Sequence, residues 1–281
     1  MLFLHQLRGE LRKMFARKRT YIGFGAFIVL EIVLLIFLHL KGPMSFWQKM
    51  IEQQGQMFEY YFSATTIAYL ILSLSTLLLG GIYIALVAGD IVAKEAEDGV
   101  LRMVLSRPIS RFRLLLLKFS SCMIYNVLFV VFMGVSCWVL GVAVRGFDGG
   151  FFAFAPEQGV VNFFPSGQGI ARYALAVGML ALCLGTASAI GFFFSCMPIK
   201  PAAATILTLS YIFIDMILVK GQFMKDYEHF LVTNYMESWV RTCLDPIPWF
   251  RLLRDLIVLG GVNITLFVLG WMIFQSRDFK T

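Results

Sequence analysis

Apolar positions along this chain do not alternate in twos; they run on without a break. Six stretches, roughly 21–40, 64–89, 115–143, 170–196, 201–219 and 252–274, are apolar almost throughout. Each reaches the ~20 residues with which a helix crosses a hydrocarbon core of ~30 Å. In lipid only a helix or a closed barrel satisfies its own backbone, and the uninterrupted runs select the helix. The pattern predicts an all-α polytopic membrane protein of six transmembrane helices, with residues 1–281 forming a single membrane domain. The first stretch leads into Lys41-Gly42-Pro43 instead of a small-x-small cleavage site, so it is expected to remain as a signal anchor.

Two segments outside these runs carry a helical stripe instead. Before the first, Leu4, Leu7, Leu11 and Met14 recur at three- and four-residue steps while Arg8, Glu10, Arg12 and Lys13 fill the other positions. This reads as an amphipathic helix within residues 1–20, lying at the interface. After the first run, Trp47, Met50, Ile51, Gln54, Phe58, Tyr61 and Phe62 form a similar stripe. Anchoring and partner docking both fit these two helices. The segments 144–169 and 220–251 are long for loops and therefore candidates for function. Trp239, Pro246, Pro248 and Trp249 predict short helices dipping toward the bilayer in the second of them.

Composition narrows the class further. Apolar residues make up 59% and charged residues 15% of the chain, against nearer one half and one quarter in an average soluble domain, which excludes a soluble enzyme. The five cysteines are odd in number and have no C-x-x-C spacing, so neither a disulfide framework nor a zinc knuckle is indicated. The net charge of +7 is first a topology marker. Arg8, Arg12, Lys13, Arg17, Lys18 and Arg19 precede the first run, and Lys94, Arg102, Arg107, Arg111, Arg113 and Lys118 lie between the second and third. By the positive-inside rule both termini and the 90–114 segment are expected in the cytoplasm. The basic residues thus point to a membrane surface and not to nucleic acid.

Residues 90–118 are the most informative. Ala96, Val100, Met103 and Val104 share one side of a helix from Lys94 to Ser106, with Glu95, Asp98 and Arg102 on another, and Pro108 ends it. A short helix with both charges and an apolar ridge offers a grip to a partner, and the third apolar run starts directly behind it. Glu95, Asp98, Gly99 and Leu101, then Leu105-Ser106, Pro108-Ile109-Ser110-Arg111 and Lys118, resemble the signature of ABC type-2 permeases, including the type that serves nitrous oxide reductase maturation. Gly9-Glu10-Leu11-Arg12 at the start and Arg277-Asp278-Phe279 at the end extend the likeness, while Val100 stands where the family usually has Thr.

The resemblance implies an exporter permease in a prokaryotic inner membrane. It implies that the 90–114 segment is a coupling helix seated on a separate ATPase subunit, with Glu95, Glu97, Asp98, Gly99, Leu101, Arg102, Ser106, Pro108 and Arg111 at that surface. It also implies a second permease copy, identical or related, with the second and fifth spans facing the dimer axis. No G-x-x-x-x-G-K-[ST] run occurs, so ATP and Mg belong to the partner and no cofactor is expected on this chain.

Polar residues inside the runs are the remaining candidates. Glu31 sits near mid-membrane, where an ionised carboxylate costs roughly 2.5–3.5 kcal/mol. It fits either a substrate or proton site or an interhelical hydrogen bond to Tyr69, Ser73 or Asn126. Asp215, near the outer end of the fifth run, suits a structural cap. Ser73, Ser75, Thr76 and Phe213 become pathway candidates through the resemblance. Small residues repeat at Gly81, Ala85 and Gly89 and at Ala181, Gly185 and Ala189, a pattern of close helix packing. An intramembrane protease lacks parts: there is no H-E-x-x-H, and Gly134-Val135-Ser136-Cys137 has no intramembrane histidine to serve it. A scaffold of permease fold, passing ATPase-driven motion to an outer-face protein without moving a solute, is the rival function.

Overall fold

The computed structural model describes residues 2–16, 18–105 and 109–277. Helix α1 (Leu2–Ala16) leads into α2 (Lys18–Leu38), and α3 (Lys41–Gln53) and α4 (Phe58–Tyr61) follow. Next, α5 (Ala64–Ser75) passes through a π-helical turn, Thr76–Gly80, into α6 (Gly81–Glu97), and α7 (Val100–Leu105) comes after a sharp break. The long α8 (Arg111–Arg145) is followed by strands β1 (Phe151–Ala155) and β2 (Val160–Phe164), then α9 (Ser166–Cys196) and α10 (Pro201–Lys220). Two 3-10 turns flank α11 (Val232–Met236), and α12 (Trp249–Ser276) ends the described chain.

Local chemistry sets several of these boundaries. Ser110 caps α8 through its hydroxyl, which accepts from the Arg113 N–H at 3.3 Å. Pro201 opens α10 at the first turn, where its missing N–H costs nothing. Gly99, at φ +73°, provides the left-handed residue on which α6 stops and α7 begins.

Five of the described helices are long and apolar enough to cross a membrane: α2 from Thr20, α8, α9, α10 and α12. With α5 and α6 they enclose one core. In α9, 83% of the apolar window is buried within the protein, against 17% in α10 and α12, so α9 is the central post and those two are outer staves. The outer faces are apolar as well: Val29, Ile36, Ile206, Ile217, Ile257 and Ile264 are all more than half exposed. Helices greasy on the outside as well as the inside are those of a membrane-embedded helical protein. The 12 residues of α5 are too few to cross alone. The π-turn carries the helix on into α6, giving roughly 50 Å of continuous rod from 64 to 97, long enough to cross.

The small-residue stripes pack closely only in part: Gly89 does, Gly81 has nothing within 4 Å of where a Cβ would stand, and Gly191, outside the stripes, makes the tight contact of α9. A Cβ on Gly191 would lie 2.7 Å from that of Ala88, and one on Gly89 would lie 2.7 Å from the Thr205 hydroxyl, so α6 approaches both α9 and α10 too closely for side chains. Aromatic edges knit α2, α6 and α8: Phe27 and Tyr83 both meet Phe129, at 5.2 and 5.1 Å. The Tyr83 ring lies over Gly23, and its hydroxyl donates to the Thr20 carbonyl at 2.8 Å.

One expectation is corrected. The chain is not wholly α-helical, because 151–164 form an antiparallel hairpin pairing Phe151 with Phe164 and Ala155 with Val160. Its strands are five-residue aromatic and β-branched runs bounded by Gly149-Gly150, Pro156, Gly159 and Pro165, which are strand and turn signals. Phe152 and Phe163 stack at 4.7 Å across the pair. The hairpin is fixed to the top of α5, where the Thr66 hydroxyl accepts from the Phe152 N–H at 2.8 Å and Ser63 donates to the Gly150 carbonyl at 2.5 Å.

All five native cysteines are buried, which leaves a quiet background for surface labelling. Met57 precedes the 64–97 rod and Met103 follows it, at 79% and 66% exposure. Met57→Cys and Met103→Cys are expected to react with an impermeant maleimide from opposite sides of sealed cells. Reaction from the same side would mean that the rod does not cross.

Candidate functional site around the buried Lys118

The segment 94–118 is built around a buried lysine. Lys118 lies in the first turns of α8 and is 1% exposed; its Nζ donates to Glu95 Oε2 at 2.6 Å and to Glu10 Oε2 at 3.2 Å. Glu95 comes from the end of α6 and Glu10 from α1, so one ammonium ties three helices. The Ile91 carbonyl lies at 3.5 Å from the same Nζ. Lys13 meets the other oxygen of Glu10 at 2.7 Å. Burial pushes the Glu10 carboxyl up, but Lys118 and Lys13 pull it down further, and its pKa ends below the ordinary value.

This geometry revises the expected roles of several residues. Glu95 was expected on an exposed docking surface; it is 5% exposed and turned inward onto Lys118. Leu101 is fully buried, which makes it the peg that fastens α7 to the core and not a contact for a partner. The Arg111 guanidinium donates to the carbonyls of Phe274, Gln275 and Arg277 at 3.2, 2.8 and 2.9 Å, so it caps the last turn of α12. Arg277 in turn donates to the Cys196 and Met197 carbonyls at 3.1 and 3.0 Å, closing the end of α9.

The exposed charges are those of Glu97, Asp98 and Arg102. Lys94 reaches Glu97 at 2.9 Å and Asp98 at 3.2 Å, and these two carboxylates hold its pKa above the ordinary value, Glu97 the more strongly. Ser106 and Pro108, also expected at this surface, and the terminal Asp278-Phe279 lie outside the described residues. Between α1 and α7 opens a cleft of ≈ 540 Å³ that His5, Gly9, Val100, Met103 and Val104 help to line.

The intramembrane candidates are not brought together. Glu31 is fully buried and accepts from the Ser136 hydroxyl at 2.7 Å and the Cys137 thiol at 3.3 Å, while its Oε2 is buried without a hydrogen bond. Its partners are thus on α8, just after the helix–helix contact at Gly134, and are none of the three expected. Asn126 donates to the Ala181 carbonyl at 2.7 Å, bridging α8 to α9. Asp215 accepts from the Thr233 N–H at 2.7 Å and so caps α11 from across the fold, in line with its structural reading. Ser75 is buried against its own helix, and Phe213 is 45% exposed on the outside of α10.

Only Ser73 and Thr76 share a cavity, of ≈ 380 Å³, at the π-turn. Leu180, Leu184, Ile212 and Met216 form its apolar walls, and Trp239 and Val240 its outer roof. A π-turn widens a helix locally, and such turns recur at functional sites. Sequence reasoning missed this turn, for which Thr76-Leu77-Leu78-Leu79-Gly80-Gly81 carries no distinctive signal beyond its paired glycines.

Residues 27–280 match a family described as "Protein of unknown function (DUF2705)". The chain belongs to this family. As a DUF2705 protein it is also similar to the "Uncharacterized protein YhcI" of Bacillus subtilis (strain 168), 27% identical over 85 residues. That match covers 30% of this chain and 27% of the relative, so the chain spans about a quarter of that relative's length in the comparison.

Removing Lys118 takes from the buried Glu95 and from Glu10 the cation that they share. Lys118→Met is expected to destabilise the protein by about 3–5 kcal/mol, read as thermal unfolding in detergent, and adding Glu95→Gln and Glu10→Gln should recover most of that loss. Because the folded pKa of Glu10 lies below its unfolded value, the clamp contributes fully above about 4.5 and fades as pH falls through the lowered folded value. Equal stability of Lys118→Met and the unaltered protein would contradict the clamp.

Proposed function

We propose that this chain is the transmembrane permease subunit of an ATP-driven ABC transporter of the type-2 class, working as an exporter. In this reading it crosses a prokaryotic inner membrane six times, with both termini in the cytoplasm. A separate ATPase subunit binds ATP and Mg, and a second permease copy completes the assembly so that two ATPases close on each other. The observation that carries the reading is the cytoplasmic end of α6. There a helix leaves the apolar core, breaks at Gly99 and presents α7 with Arg102 and Met103 exposed, while Lys118 and Leu101 hold its base.

Such an element transmits force because each of its attachments leads into a different part of the membrane domain. A push on α7 passes through Gly99 into the rod of α5 and α6, and through Glu95 and Lys118 into the root of α8. Glu10 passes the same displacement to α1 at the interface. The rod has one irregular point, the π-turn at Thr76–Gly80, where a shift by one residue repositions the upper helix relative to the lower. Ser73 and Thr76 lie beside that point, on the cavity.

The ordered outer cap favours one second reading, a scaffold of the same fold that hands ATPase-driven motion to an outer-face protein and moves no solute. The hairpin is pinned to the 3-10 turn after α11, with Gln158 donating to Glu237 and Asn162 to the Cys243 carbonyl, both at 2.9 Å. ATP hydrolysis in reconstituted vesicles without movement of any solute would select the scaffold.

Affinity purification of the unaltered chain is expected to bring down a Walker-motif ATPase. The charge reversals Asp98→Lys and Arg102→Glu together should lower its recovery at least tenfold while the melting temperature stays unchanged, because both side chains are exposed. Full recovery of the ATPase with the double variant would reject α7 as the docking element.

A further inference from the structure

The cavity at the π-turn has a second, larger neighbour. A polar cavity of ≈ 840 Å³ lies beyond α11 on the outer side and is lined by Lys220, Arg241, Arg251 and Arg254 against Glu228, Glu237 and Asp255. Gln158 and Glu237 line both spaces and form the neck between them. Helix α11 is the shared wall: Thr233 and Met236 border the apolar space, and Asn234 and Tyr235 border the polar one.

The polar groups at the neck are already matched to one another. Arg241 donates to Asp255 Oδ2 at 2.6 Å and to Gln158 Oε1 at 3.2 Å, and Gln158 donates to Glu237. Arg254 holds the other oxygen of the fully buried Asp255 at 3.4 Å, yet 62% of the Arg254 side chain is exposed. The most deeply buried carboxylate thus holds two arginines. Among the described lining residues, Arg254 and Arg251, both exposed, present guanidinium donors to the pocket.

The apolar space has the opposite need. Thr233 is 6% exposed and its hydroxyl is buried without a hydrogen-bond partner, although its N–H is fixed on Asp215. The Thr76 hydroxyl on the facing wall is also without one. Buried hydroxyls of this kind are costly unless something in the cavity pairs with them. The volume falls within the roughly 300–1,000 Å³ of small-molecule sites, and the few polar atoms among apolar walls are typical of them.

We propose that the two spaces form one binding site for an anionic amphiphile. Its acyl chain fills the cavity between α5, α9 and α10, its phosphate or carboxylate head sits among Arg251 and Arg254, and an ester or amide carbonyl near the head accepts from the Thr233 hydroxyl. The site lies within one subunit and binds without ATP, so it stands whether or not the transporter reading holds.

Trp239 lines the apolar cavity and serves as the reporter. Replacing Trp47, Trp138, Trp249 and Trp271 with Phe leaves it as the sole tryptophan, in nanodiscs of phosphatidylcholine. Lysophosphatidylglycerol with a brominated chain is expected to quench Trp239 saturably, with half-saturation at least fivefold below that of the brominated choline analogue. Arg251→Ala with Arg254→Ala should erase that preference, and Leu184→Phe with Ala187→Phe should abolish saturable quenching by either amphiphile. Native mass spectrometry of the unaltered chain should retain one phosphatidylglycerol analogue per subunit, which guards against a tryptophan-depleted protein that fails to fold. Equal half-saturation for the two heads, no retained amphiphile, or inorganic phosphate displacing the amphiphile at equal concentration would overturn the proposal; the last would mean a simple anion site.

Discussion

A single ammonium, that of Lys118, ties α1 and the end of α6 to the root of α8. Buried ion pairs are a poor source of net stability, since desolvation consumes much of what attraction returns. Their stronger effect is on arrangement: with carboxylates from two helices facing one lysine of a third, a shift of any of the three lengthens a buried ion pair. Here the three helices are α1, the end of α6 and the root of α8. The position of α7 follows, because it is joined to α6 by one glycine and pegged by the buried Leu101.

Above that clamp the core is organised on α9, which packs by close backbone approach to α6 and by side-chain hydrogen bonds to α8. The Tyr173 hydroxyl donates to the Gly134 carbonyl at 2.7 Å, and Asn126 returns a bond from α8 to Ala181. The opposite end is closed differently, by a hairpin and short helices whose polar side chains pair across the cap. The Lys118 end is therefore held by charge and the hairpin end by a mosaic of neutral and charged hydrogen bonds. The π-helical turn, Thr76–Gly80, lies between the two, beside the apolar cavity.

Much of this was legible in the sequence because lipid imposes long, simple signals. Runs of ~20 apolar residues and the Leu4–Met14 stripe correspond to elements of the fold, whereas the single helix expected from Lys94 to Ser106 is broken at Gly99, whose positive φ ends α6 before α7 begins. The stripe at Gly89 marked close packing for the same reason: only small residues permit it. What escaped reading depends on partners distant in the chain. Glu95 looks like an exposed charge until Lys118, 23 residues on, is seen to cover it. Arg111 was expected at the surface facing an ATPase, yet its donors close a helix 163 residues away. Glu31 announced itself as a costly group, but Ser136 and Cys137 could not be picked out among the polar residues of five other helices. The hairpin was overlooked because its phenylalanines merged with the surrounding apolar background.

Lys118 makes α1, the end of α6, α7 and the root of α8 one body. Hydrogen–deuterium exchange on the purified chain tests it directly, comparing the unaltered protein with Lys118→Met. If the claim holds, residues 2–16 and 94–105 lose protection together, while the outer elements 151–164 and 232–243 keep theirs. Loss confined to 2–16, with 94–105 as protected as before, would show that α7 is held without the lysine and would contradict the account.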